Sequence, residues 1–135
     1  VIPILSTSSR GARVEFDIRD SGTFKVVTIS GKVDWEGARW LDAEVQAVIA
    51  GGANHLVFDL DRVTFLCSGA IGALTYSLNK LKSNDGSFYI ISDNDYVNYI
   101  FETLRFDVVF SGLLFKSFDE FKKKVIDSTE DSPHE

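Results

Sequence analysis

The stretch Cys67-Ser68-Gly69-Ala70 places the chain's single thiol next to a hydroxyl, with two small residues behind them. A thiol or hydroxyl becomes a nucleophile when a base stands beside it. The spacing here fits no nucleophile template. A nucleophile elbow needs Gly two residues before and two after its Ser, and Ser68 has Leu66 and Ala70 there. A cysteine-phosphatase loop wants Arg six residues after its Cys, where this chain has Ala73. There is no Gly-x-x-x-x-Gly-Lys-Ser/Thr loop for a nucleotide phosphate. One Cys and two distant His residues, His55 and His134, give no metal-ligand spacing. Catalysis and a bound cofactor are therefore not expected. From the residues alone, the role left for Ser68 is a helix cap.

The elements around this stretch decide where it points. His55 to Val63 reads as a strand with Leu56, Phe58 and Leu60 on one face. It runs through Thr64-Phe65-Leu66 into a helix whose stripe is Ile71, Leu74, Leu78 and Leu81, closed near Asn84-Asp85-Gly86. Ser68 then stands at or next to an N-cap, where its hydroxyl can accept an orphan backbone N–H. In that role Cys67 is a small buried filler, and Gly69, Ala70 and Gly72 permit close packing.

Upstream, Ala12, Val14, Phe16 and Ile18 alternate with charged residues, predicting a half-exposed strand at a sheet edge. After the turn residues Asp20-Ser21-Gly22-Thr23, Phe24 to Ile29 is nearly all apolar and predicts a deeper strand. Ala38, Leu41, Val45 and Val48 mark a helix ended by Gly51-Gly52. Trp40, next to Leu41, is the better core candidate of the two tryptophans. Downstream come a buried strand at Phe88 to Ile91 and a helix through Val97, Ile100, Phe101 and Leu104. A strand is expected within Val108 to Phe115, then a last helix opened by the Ser117/Glu120 capping spacing, with Phe118, Phe121 and Val125 inward. The sum is an α/β domain: a mixed β-sheet with an N-terminal antiparallel hairpin, then alternating helices and strands, with helices on its faces.

Residues 1–11 show no period and read as a loose lead-in, 12–126 as the folded domain, and 127–135 as an acidic solvated tail. Four of the 20 acidic side chains lie in that tail, which has no Lys or Arg. The rest of the chain is balanced to within two charges, so the net charge of −6 comes mostly from the tail. Such a surface lacks the basic stripe that nucleic acid requires. A lone Cys suits a reducing compartment, and no apolar run approaches the roughly 20 residues of a membrane span. The cytoplasm is the expected location. Met is missing altogether, the initiator included, as expected of one part of a longer protein.

Gly31-Lys32-Val33-Asp34, the apolar strand ending near Asp61, and Phe65-Leu66-Cys67-Ser68-Gly69-Ala70-Ile71-Gly72 occur at a familiar spacing. With Gly86 before the next strand and Leu104 to Phe110 further on, they resemble the STAS family (sulfate transporter and anti-sigma factor antagonist) over roughly Val14 to Val125. The resemblance implies the STAS fold and a bacterial regulatory role, binding an anti-sigma factor that is also a serine kinase. In such antagonists the first Ser of the motif is phosphorylated, and Ser68 holds that position. Asp34, Trp35, Cys67, Ser68, Gly69 and Ala70 are then the candidate partner-binding residues. The family's Asp before the Ser is Cys67 here, its second Ser/Thr is Gly69, and the following Gly is Ala70. Two other readings of the resemblance are a STAS scaffold or accessory subunit without phosphate switching, and a small-ligand sensor on the same fold.

Overall fold

A computed structural model of the chain describes residues 4–7 and 13–127. Its elements are β1 (Ile4–Thr7), β2 (Arg13–Ser21), β3 (Phe24–Val33), α1 (Trp35–Ala50), β4 (His55–Leu66), α2 (Ser68–Ser83) and β5 (Ser87–Ile91). They continue with α3 (Asp95–Thr103), α4 (Phe106–Val109), β6 (Leu114–Phe115) and α5 (Phe118–Phe121), which runs on as a π-helical stretch, Lys122–Asp127. Residues 128–135, most of the expected acidic tail, lie outside the described residues.

The six strands stand in the sheet in chain order. β1, β2 and β3 pair antiparallel, whereas β3 to β6 pair parallel. Because the parallel strands advance in one direction only, right-handed crossovers deliver every connecting helix to the same face. The packing agrees: Leu41 of α1, Leu74 of α2 and Phe101 of α3 join Val27, Phe58 and Ile90 of the sheet in one core cluster. The opposite face carries a smaller cluster of Val26, Val57 and Ile91, covered by Phe121 of α5. Helices thus cover both faces, but unequally: the crossover helices share one, and α5 with its extension covers the other.

Two further expectations change, and one is narrowed. Residues 4–7, part of the supposed lead-in, form β1, so β2 is flanked on both sides and is not an edge strand. The strand expected within Val108 to Phe115 is β6, two residues at its end, while α4 takes Val108 and Val109. Trp40 is 43% exposed and does not belong to the core. Ala38, Leu41 and Val45 fix the buried stripe of α1, and a residue one step from Leu41 lies about 100° round the helix.

The expected capping at the last helix is present. Glu120 N–H donates to Ser117 Oγ at 3.0 Å, and Glu120 Oε1 accepts from the Lys116 N–H at 2.7 Å. The backbone bond and the nearby Lys124 hold the Glu120 carboxyl below the usual range.

Candidate functional site

The ends of β3 and β4 are neighbours, with Val33 opposite Leu66. Each strand leads directly into a helix, so the N-termini of α1 and α2 lie side by side. Gly31 makes this possible on the β3 side. It adopts φ +96°, where side chains are strained, at a register shift that locally re-aims the strand. On the β4 side, the Cys67 N–H donates to the Val33 carbonyl at 3.0 Å and ties the two junctions together.

The two helix starts differ in chemistry. At α1, the Asp34 carboxylate accepts the Gly37 N–H at 2.9 Å, and Glu36 adds negative charge in the first turn. α3 and α5 are likewise capped by side chains, Asn94 and Ser117, and carry acidic first turns. At α2 the capping residue is Cys67, whose side chain makes no cap hydrogen bond, and the first turn holds no acidic residue. Ser68 is the first residue of the helix, one step beyond the cap, and it is exposed. Among the described residues its hydroxyl has no hydrogen-bond partner. Ser68 thus stands next to the cap, one of the two positions the sequence allowed, and its hydroxyl does not cap α2. The physical reason is position: a hydroxyl bonds the N–H two or three residues ahead only from the non-helical residue before the first turn.

Not all of the sequence candidates reach the surface. Trp35 is 69% exposed, with the Arg39 guanidinium 5.1 Å from its ring centre. Asp34 and Cys67 are half-buried, and Gly69 is exposed. Ala70 is fully buried at 0% and packs in the main core, so it cannot touch a partner directly.

Trp35 and Gly69 share a groove of about 480 Å³ between α1 and α2, lined also by Ala38, Arg39, Gly72 and Tyr76. Arg39 and Tyr76 were not legible as site residues. The available signal was the stripe Gly69, Gly72, Ala73 and Tyr76 on the side of α2 away from Leu74, small residues ending in an aromatic. Among the described residues no group of three or more His, Cys, Asp or Glu could hold a metal ion. No described helix is long and apolar enough to cross a membrane.

The family model for the STAS domain matches residues 15–121. The chain belongs to the STAS domain family. This STAS domain is similar to an anti-sigma factor antagonist from Mycobacterium paratuberculosis, with 25% identity and a TM-score of 0.75, covering 84% of this chain and 95% of the other. It shares its fold with the anti-sigma factor antagonist SpoIIAA in its unphosphorylated form, at 15% identity, TM-score 0.68, and 86% and 96% coverage. A putative anti-sigma factor antagonist from Thermotoga maritima has 20% identity and a TM-score of 0.71, with 82% and 94% coverage. No curated protein sequence matches this chain.

The Asp34 cap can be tested separately from any partner. Asp34→Ala leaves the Gly37 N–H without its acceptor and should lower stability by about 0.5–2 kcal/mol. Urea denaturation checks it; an unchanged midpoint would mean the carboxylate does not support α1.

Proposed function

We propose that this STAS domain is a non-catalytic regulatory module. It binds an anti-sigma factor that is also a serine kinase, and phosphorylation of Ser68 controls the partner switch. The observation that carries this reading is the exposed Ser68 on the uncapped, uncharged first turn of α2, beside the exposed Trp35. An aromatic anchor of that size next to a modifiable hydroxyl suits a docking surface. The binding surface then comprises Asp34, Trp35, Ser68 and Gly69, with Cys67 at its half-buried edge and Ala70 acting from beneath.

The electrostatics of the switch are simple. Transfer of the γ-phosphoryl from ATP forms a Ser68 Oγ–P bond, releases ADP and the hydroxyl proton, and adds about −1.5 to −2 charges. The free N–H groups and positive end of α2 suit that charge, so the modified domain keeps its fold. The effect falls on the interface, where a partner must now desolvate a phosphate. The domain would act in the bacterial cytoplasm, upstream of transcription. A second reading, a STAS scaffold without phosphate switching, is favoured by Cys67 and Gly69 where the family motif has Asp and Ser/Thr.

Affinity for the cognate anti-sigma factor separates the two. Ser68→Ala should bind as tightly as the unmodified domain, and Ser68→Asp at least about tenfold more weakly, because a carboxylate puts charge at the same place. Equal affinity for Ser, Ala and Asp at position 68 would leave the scaffold reading.

A further inference from the structure

β4 is 12 residues long, yet β5 pairs only with His55 to Asp59. β3 accompanies β4 on the other side as far as Leu66. Beyond Asp59, the backbone groups on the β5 side of β4 therefore have no strand to bond, and buried groups of this kind need partners. Side chains of the segment that opens α3 supply them. Asn94 Nδ2 donates to the carbonyls of Asp61 and Val63, at 3.1 and 2.7 Å. The Leu66 N–H donates to the Tyr96 hydroxyl at 3.1 Å. Asn94 Oδ1 meanwhile accepts the N–H groups of Tyr96 and Val97, which fixes the start of α3 against the same strand.

We propose that Tyr96 is a positioning residue for the Ser68 turn, its phenol acting as the latch on the side of β4 that lacks a strand. The Leu66 amide lies two residues before Ser68. On the β3 side the junction is already held through the Cys67 N–H and the Val33 carbonyl. Without the phenol the segment from Thr64 to Cys67 is anchored along one edge only, and both Thr64 and Phe65 are exposed. A turn that wanders must be ordered before a partner can dock, which lowers affinity without removing any contact. The functional weight of the latch rests on the reading of the Ser68 turn as a contact surface; its mechanical action does not.

The single cysteine sits inside the latched segment and reports on it with no partner present. In the full chain, Tyr96→Phe should raise the rate of Cys67 alkylation by iodoacetamide, and of Leu66 amide exchange, by roughly tenfold. Amide exchange at Val57 and Phe58 should stay unchanged, and Tyr99→Phe, an exposed phenol on the same helix, should behave as the parent. Unchanged Leu66 exchange and Cys67 alkylation in Tyr96→Phe would overturn the proposal. So would equal acceleration at Val57 and Phe58, because the phenol would then serve global stability and not the turn. Since neither readout involves phosphate, failure of Ser68 as a switch and failure of the latch give different results.

Discussion

Gly86→Ala is expected to destabilise the domain by about 3 kcal/mol, although it adds only one methyl group. A Cβ built on Gly86 would lie against the Asn54 carbonyl oxygen, which is backbone and cannot rotate away. The same oxygen accepts the Ser87 N–H at 2.9 Å, and the Asn54 side-chain amide donates to the Asn84 carbonyl at 3.1 Å. The segments leading into the parallel strands β4 and β5 lie side by side here, so making room means prying the starts of both strands apart and losing the Ser87 bond. Gly72 offers the contrast. It lies in α2 with open space where its Cβ would be, so Gly72→Ala should be neutral or stabilising. Urea unfolding of the two variants checks this. A Gly86→Ala midpoint equal to that of the parent would mean the starts of β4 and β5 are not in close contact.

Leu74→Ala should cost about 2–5 kcal/mol. Leu74 is 1% exposed and sits in the main cluster between α2 and the sheet. Its removal leaves a cavity under rigid strands, since neighbours such as Phe58 and Leu60 belong to β4 and cannot follow the helix inward. The cost appears as a lower urea midpoint with an unchanged slope. A loss below about 1 kcal/mol would contradict the helix register. It would also displace Ser68, because both residues are carried by the same rigid helix.

The helix registers were legible because one buried stripe fixes a whole helix. Ile71, Leu74, Leu78 and Leu81 stand at helical spacing, and all four are buried. The same logic was misapplied at Trp40: adjacency to Leu41 in sequence is not adjacency on a helix face. β1 was illegible because four residues carry too little periodicity, and their strand exists through pairing with β2. The stretch Val108 to Phe115 gave no exact strand position because Arg105 turns the chain at φ +63° into the short α4 before β6 begins.

At the site, the sequence identified the junction but left open whether Ser68 is the cap or its neighbour. Ser68 looks locally like any cap, and only the backbone shows that Cys67 occupies the cap and leaves Ser68 free. The groove was hidden for another reason. Trp35 with Arg39 and Gly69 with Tyr76 lie on two helices separated by β4, so only the parallel pairing of β3 with β4 brings them together. The Tyr96 latch depends similarly on β4 outrunning β5, a difference in strand length that no local pattern records.

The most direct test of the phosphoswitch is to incubate the domain with its cognate anti-sigma factor kinase and ATP, map the phosphate by mass spectrometry, and measure partner binding before and after. The account predicts one phosphate on Ser68, none on Ser68→Ala, and an affinity at least about tenfold weaker for the modified protein. An unmodified Ser68, or a phosphorylated domain that binds as tightly as before, would contradict it.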